Sequence, residues 1–139
     1  MTQAIKLPCS GVDPELFWPH PTQEPVGKQL VAPLCSVCPL RLECLLAAFR
    51  GGEGGIWGGM THTERVALRR YLTTDDLVNV TALNHALTVK FPLCLDCDKH
   101  RRPYTDGRCH TCHHKRRRED RDREAAAFEA ELKNGTVAA

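Results

Sequence analysis

The sequence has few aromatic residues and no long apolar segment. Aromatic residues make up only 6% of the 139 residues, so few large side chains are present to offset the conformational entropy lost on folding. The longest unbroken apolar run, Cys44 to Phe49, has six residues, whereas a membrane-spanning helix needs about 18. The N-terminus has neither a basic region nor an apolar core. We therefore expect a cytoplasmic protein without a membrane span or signal peptide.

The chain also lacks a large excess of either charge. Its formal net charge is +2, and its 42% hydrophobic and 26% charged residues are typical of globular proteins, which excludes a fully disordered or collagen-like chain. Residues 1–90 hold eight basic and eight acidic residues, whereas residues 91–124 hold ten basic against seven acidic. The positive excess therefore lies in the C-terminal third.

Eight cysteines stand out against this background, and they form two groups of four: Cys9, Cys35, Cys38 and Cys44, then Cys94, Cys97, Cys109 and Cys112. In a reducing cytosol such groups bind metal rather than form disulfides. Small modules without a large core commonly use metal binding as folding energy. Four thiolates suit zinc or an iron–sulfur cluster, and the spacing of the first group alone leaves both open, with zinc slightly favoured.

Apolar periodicity and capping signals predict a mainly α fold. Up to Lys28 the sequence predicts an irregular arm that carries Cys9. Cys35 and Cys38 are then expected to open a helix over about 39–50, whose N-terminus would stabilise their thiolates. Thr61 and Glu64 form a capping-box pattern ahead of a helix over about 63–71, in which Arg65, Arg69 and Arg70 should be solvated. Further helices are predicted over about 73–89 and 113–133.

The first cysteine group lies among several distinctive short motifs. They are Asp13-Pro14-Glu15-Leu16-Phe17-Trp18-Pro19, Cys35-Ser36-Val37-Cys38-Pro39, Cys44-Leu45, Gly55-Ile56-Trp57-Gly58-Gly59 and Glu64-Arg65. Together, over about residues 5–72, they resemble the WhiB-like (Wbl) family of actinobacteria and their phages. The Arg-Gly-Arg hook by which some members contact DNA is absent from this sequence.

The resemblance implies a transcription factor with a redox- and nitric-oxide-sensitive 4Fe-4S cluster, for which Cys9, Cys35, Cys38 and Cys44 would be the ligands. It also implies binding to region 4 of the primary sigma factor of RNA polymerase. In that reading, the main contact is Trp57 in its turn of Gly55, Ile56, Gly58 and Gly59. Independently, a tryptophan between glycines cannot be covered by its neighbours, so it either packs on the cysteine lobe or contacts a partner.

The second group, Cys94-x2-Cys97 and Cys109-x2-Cys112, has the spacing of a zinc ribbon or treble clef. The nearby basic residues are expected to contact promoter DNA: Arg101, Arg102, Arg108, Lys115, Arg116, Arg117 and Arg118. Their alternative role is in a solvated helix held by three i,i+4 pairs: Arg116–Asp120, Arg118–Asp122 and Glu119–Arg123. His110, His113 and His114 could replace a cysteine ligand, although solvated histidines are the simpler interpretation.

We expect three segments: a WhiB-like iron–sulfur domain over 1–72, a helical connector over 73–91, and a zinc module with a basic helical tail over 92–139. Enzymatic activity is not expected. An HNH-type nuclease requires an asparagine that is absent between Leu93 and Glu131, and no thioredoxin-like pattern surrounds the Cys35–Cys38 pair to support a disulfide reductase. A protein that sequesters the sigma factor without binding DNA remains the main alternative.

Overall fold

The computed structural model describes residues 4–135 and is mostly helical, as predicted. The chain divides into two compact units, Met1–Lys90 and Phe91–Ala139, here called unit 1 and unit 2. Among the described residues, no helix is long and apolar enough to cross a membrane.

Unit 1 begins with two 3₁₀ turns and a helix: Pro14–Phe17, Pro21–Gln23 and α1, Glu24–Ser36. The predicted irregular arm up to Lys28 is wrong from Glu24 onward. Pro25 argues against a helix in the sequence. In the first turn, however, proline is tolerated, because the N–H that it lacks would have no partner within the helix. Gly27 lets α1 approach the preceding chain closely, since a Cβ there would lie only 2.9 Å from Pro19 Cγ.

Two further helices follow, α2, Arg41–Gly51, and α3, His62–Arg69. Both are predicted to within two residues at each end. The capping box at the start of α3 is confirmed: Thr61 N donates to Glu64 Oε2 at 2.9 Å, and Glu64 N donates to Thr61 Oγ1 at 3.2 Å. Glu64 also accepts from Lys28 Nζ at 2.7 Å, which ties α3 to α1.

The segment predicted as one continuous helix over 73–89 is broken into three pieces: a 3₁₀ turn, Asp75–Leu77, helix α4, Val80–His85, and a π-helical turn, Ala86–Lys90. The break has a local cause, because Asn79 is extended and its Oδ1 caps α4 by accepting from Ala82 N at 2.8 Å. Within this segment, Lys90 Nζ lies 2.5 Å from Oδ1 of the buried Asp76. The pKa of the Asp76 carboxyl is lowered mainly by this hydrogen bond from Lys90.

Residues 73–90 pack on α2 within unit 1. Arg50 of α2 holds them there, donating to Leu77 O through Nε and Nη2 at 3.0 and 2.8 Å and to Val78 O at 2.6 Å. The buried apolar side chains of α2 and of this helical extension are Leu45, Leu46, Ala48, Phe49, Leu77, Leu83, Ala86 and Leu87. Helix α2 therefore contributes to a core shared with the extension, whereas its Leu45 lies against Gly58.

Unit 2 consists of a short antiparallel hairpin and a long helix: β1, Pro103–Thr105, β2, Arg108–Cys109, and α5, His110–Lys133. The hairpin turns at Asp106 and Gly107, whose φ values are +52° and +69°. Helix α5 begins three residues before the predicted start at His113, and none of its residues is buried. Phe91, Cys94 and Cys109 are the buried apolar residues among those described in unit 2, so its core is very small.

Candidate metal centres

The first cysteine group is brought together by three segments of unit 1. Cys9 lies in a turn closed by Val12 N and Cys9 O, Cys35 lies in the last turn of α1, and Cys44 lies in the first turn of α2. Cys38 lies between the two helices, and its N–H donates to Cys35 O at 3.2 Å. The prediction that both cysteines open a helix is therefore wrong for Cys35, which belongs to an unpredicted helix that ends at Ser36, whereas Cys38 lies just before α2.

All four of these cysteines line one cavity of about 330 Å³. The other residues around it are mostly apolar: Leu7, Val12, Pro14, Phe17, Trp18, Leu34, Leu40, Arg41, Ile56, Trp57 and Gly58. The predicted ligand set is thus assembled at one site. The sulfurs of this first group are more widely spaced than those of the second group. Among the described residues, only the second group places three or more ligand atoms within 4.8 Å of one another.

The glycine turn, Gly55–Gly59, covers this cavity and supplies hydrogen bonds to two of the sulfurs. Burial raises the pKa of the Cys35 thiol, and a hydrogen bond from the Gly59 backbone N–H opposes that rise. Burial likewise raises the pKa of Cys44, opposed by the N–H of Gly58. Donors of this kind stabilise thiolate charge. The stabilisation that the sequence assigned to a helix N-terminus comes instead from the glycine turn.

The turn depends on glycine at three positions. Gly55, Gly58 and Gly59 have φ values of +78°, +55° and +81°, which disfavour residues with a Cβ. A Cβ at Gly58 would also lie 2.4 Å from Leu45 Cγ and 2.9 Å from Arg41 O. Trp57 is half-buried in this turn, and its indole N–H donates to Gly54 O at 2.7 Å.

Arg65 anchors the same turn from α3. Although predicted to be solvated, it is only 4% exposed, and it donates to Met60 O at 2.6 Å and to Glu53 O at 2.5 Å. Burial lowers the pKa of its guanidinium, while the neighbouring Cys44 and three glutamates raise it. Arg65 therefore closes both ends of the glycine turn and adds positive charge near Cys44. Arg69 and Arg70 are exposed as predicted.

The second cysteine group is compact. The Sγ atoms of Cys94, Cys97, Cys109 and Cys112 all lie within 4.8 Å of one another, and Cys109 N donates to Cys94 Sγ at 3.3 Å. Burial raises the pKa of Cys94, but backbone N–H donors, led by Cys109, outweigh it and lower the value to about 6. Burial and the neighbouring sulfurs raise the pKa of Cys112 to about 12. A bound cation would stabilise all four closely spaced sulfurs as thiolates.

The predicted nucleic-acid contacts divide into two sets. Arg108 and Arg116 approach Asp96 at 2.9 and 3.6 Å, and Lys115 lies 3.9 Å from Glu119. The remaining four, Arg101, Arg102, Arg117 and Arg118, are exposed and form no ion pair within residues 4–135.

The three i,i+4 pairs predicted for a solvated helix do not form in the described part of α5. Arg123 instead contacts Asp120. The predicted histidines surround Tyr104 rather than the sulfurs: its ring centroid lies 5.0, 5.1 and 5.6 Å from those of His110, His113 and His114.

Sequence reasoning missed the two hydrogen-bonding glycines, the buried Arg65 and the partner role of Asp96. A physical signal existed only for the glycines, since repeated glycine favours positive φ and close backbone approach. Arg65 was singled out only as part of the Glu64-Arg65 family motif; nothing local predicts its burial, because its acceptors, Glu53 O and Met60 O, are backbone atoms whose positions only the fold determines.

Comparison with known proteins gives a consistent result. Residues 5–68 match the family described as transcription factor WhiB. The chain is 41% identical over 68 residues to the transcriptional regulator WhiB1 of Mycobacterium tuberculosis, covering 47% of this chain and 81% of that protein. It is 38% identical over 66 residues to the transcriptional regulator WhiD of Streptomyces coelicolor, covering 43% of this chain and 58% of that protein. No solved structure gives a significant match. The chain therefore belongs to the WhiB family of transcription factors.

Proposed function

We propose that this chain is a transcriptional regulator with two metal centres. Unit 1 holds a 4Fe-4S cluster on Cys9, Cys35, Cys38 and Cys44 and docks on region 4 of the primary sigma factor. Unit 2 holds a structural zinc ion and contacts promoter DNA. The observation that carries the proposal is the convergence of four cysteines from separate segments on one largely apolar cavity of about 330 Å³.

The spacing of the sulfurs supports different groups at the two sites. Tetrahedral zinc, with Zn–S bonds of about 2.3 Å, holds its four sulfurs about 3.8 Å apart. The second group, with all four sulfurs within 4.8 Å, fits a single ion of this kind. In a 4Fe-4S cluster each thiolate binds a different iron, so the sulfurs stay farther apart. The wider first group and its cavity fit the larger cofactor.

The residues of unit 1 fit a switch that acts through the glycine turn. A 4Fe-4S cluster supplies a redox-active centre, which family resemblance implies is sensitive to nitric oxide. Cys35 and Cys44 accept hydrogen bonds from Gly59 and Gly58, so their ligation state is linked directly to this turn. The mostly apolar lining of the cavity limits the access of water to the cysteines, of which Cys35 is buried and the other three are partly exposed. Release of the thiolates would free the Cys9 turn and loosen the segment that carries Trp57.

Trp57 supports docking on the sigma factor. The flanking Gly58 and Gly59 have no side chains to cover its ring, and the ring is half-buried beside the cavity, with its N–H fixed by Gly54 O. A large aromatic ring that is held rigidly and left partly uncovered has the character of an interface hot spot. Trp18, 53% exposed and packed against Gly54 and Gly55, enlarges the same apolar surface.

The test is anaerobic purification with iron, sulfide and zinc measured per chain. We expect about four iron, four sulfide and one zinc, with broad visible absorbance. In Cys38→Ser, iron should fall to background while zinc stays at about one, because Cys38 belongs only to the first group. Iron-loaded protein should bind isolated sigma region 4, and the Cys38→Ser variant should not. Two zinc ions and no iron would overturn the cluster assignment and leave a double zinc adaptor.

DNA contact is tested through two arginines that form no ion pair in the described part of the chain. The double variant Arg117→Gln/Arg118→Gln should weaken promoter binding, and the slope of log K against log salt should fall by about two, one for each phosphate that is no longer neutralised. Arg123→Gln is the matched control on the same helix, because Arg123 is already occupied by Asp120. Unchanged affinity and salt dependence in the double variant would contradict DNA contact and favour sigma-factor sequestration without DNA binding.

A further inference from the structure

An aromatic cluster of unit 2 has no part in the metal centre. Tyr104 of β1 is 54% exposed, and three imidazoles of α5 surround it with ring centroids 5.0–5.6 Å away. His110 and His114 also contact each other, at 4.2 Å between centroids. None of these rings is buried. Four π-systems are therefore gathered at one surface, in a unit with few other aromatic residues.

Arginines follow the aromatic cluster along one face of α5. His110, His114, Arg117 and Arg121 follow at i, i+4, i+7 and i+11, and residues with this spacing share a helix face. The line is about 16 Å long at a rise of about 1.5 Å per residue. Neither Arg117 nor Arg121 forms an ion pair in the described part of the chain. Next to Tyr104, the exposed Arg101 and Arg102 add two more cations without ion pairs within residues 4–135.

We propose that this surface, Tyr104 with His110, His113, His114, Arg117 and Arg121, binds single-stranded DNA. An unpaired base stacks on the exposed ring of Tyr104, and Arg117 and Arg121 contact the phosphates beside it. Stacked aromatic rings combined with a track of cations are how proteins bind single strands without reading sequence. This inference rests on the proposed DNA contact of unit 2 and specifies the form of DNA.

The chemistry of the surface favours a single strand over a duplex. In a duplex the base faces are covered by stacking, so only the arginines could act, through phosphates. An exposed tyrosine ring surrounded by imidazoles would then contribute little. In a single strand the base faces are available, and each stacked base contributes substantially to affinity. A regulator that approaches promoter DNA encounters such a strand wherever the duplex is opened.

The experiment measures binding of the full, metal-loaded chain to a fluorescein-labelled oligo-dT and to a duplex of equal length. In Tyr104→Ala, affinity for oligo-dT should fall about tenfold or more, while affinity for the duplex stays within about twofold. Tyr104→Phe, the matched control, keeps the ring and should bind both like the wild type. Zinc content of each variant verifies that unit 2 is intact.

A second measurement uses the wild-type chain and does not depend on how a variant folds. Oligonucleotides with 5-bromouracil, irradiated in the complex, should crosslink to Tyr104 or to His110–His114, as located by peptide mass spectrometry. Crosslinks confined to other segments, or a Tyr104→Ala variant that binds oligo-dT normally, would overturn the stacking proposal.

The outcomes also separate this inference from the broader one. If Tyr104→Ala has no effect but duplex binding still depends on Arg117 and Arg118, only the stacking inference fails. If the wild type binds neither form of DNA, both the inference and the DNA part of the proposed function fail.

Discussion

Removal of the proposed zinc ion from unit 2 is expected to unfold the hairpin and expose it to protease. Its buried apolar residues among those described are Phe91, Cys94 and Cys109, two of which are metal-binding candidates. A structural zinc site contributes on the order of 10 kcal/mol, far more than burial of one phenylalanine at about 1.5–3 kcal/mol. Without the ion, little remains to hold β1 and β2 together.

Limited trypsin digestion reports this unfolding at a defined bond. The Arg108–Cys109 bond lies in β2 and should be cut slowly in the zinc-loaded chain and at least tenfold faster after chelation, on the order expected when local opening becomes easy. The Cys97→Ser variant should behave like the chelated wild type while keeping its iron. Cleavage after Arg121, on the exposed part of α5, is the internal control and should change little. Equal protection of Arg108 with and without zinc would contradict a structural ion.

The second large effect is expected from Gly58→Ala in unit 1. The left-handed backbone at Gly58 costs a residue with a Cβ about 1–2 kcal/mol. The new Cβ would also overlap Leu45 Cγ at 2.4 Å and Arg41 O at 2.9 Å, and relief of such overpacking costs about 1–3 kcal/mol more. Because the Gly58 N–H hydrogen-bonds to Cys44, a shifted turn should also weaken iron retention.

Gly52→Ala is a closely matched control. Gly52 ends α2 with φ +64°, but nothing lies within 4 Å of a Cβ built there. It therefore bears the backbone strain without the overlap. For a unit of this size about 1 kcal/mol corresponds to 4–8 °C in Tm. We therefore expect a fall of roughly 4–16 °C for Gly52→Ala from backbone strain, and the overlap should lower Tm by roughly a further 4–24 °C in Gly58→Ala.

The readout for both glycine variants is tryptophan fluorescence during anaerobic heating. Both tryptophans of the chain, Trp18 and Trp57, lie in unit 1, so the signal reports on this unit. Iron per chain is measured in the same samples. Similar decreases of Tm in the two variants would show that Leu45 and Arg41 accommodate the extra methyl group, and that close packing at Gly58 is not required.

The sequence predicted the elements with strong local signals. Thr61 and Glu64 form a complete capping box, and the helix after them begins where predicted to within one residue. The apolar spacing around Leu45 likewise located α2. The compact sulfurs of the second cysteine group also agree with its zinc-type spacing. In each case the signal lies within a short stretch of sequence.

The failures involve elements that depend on distant residues. Helix α1 contains Gly27 and Pro33, both unfavourable in the interior of a helix, and it is stabilised by the burial of Val31 and Cys35. The single helix predicted over 73–89 is interrupted because Asn79 caps a new start. Side-chain to backbone capping competes with helix continuation at such residues, and periodicity alone does not reveal which arrangement is more stable.

The core between α2 and the extension over 73–90 contains none of the eight cysteines. Its stability therefore does not depend on the oxidation state of any thiol. On the proposed cluster assignment, α2 is expected to fold against this support before the cluster is bound, so that Cys44 is positioned before Cys9 joins the site. The family match ends at residue 68, so this supporting extension lies outside the matched region.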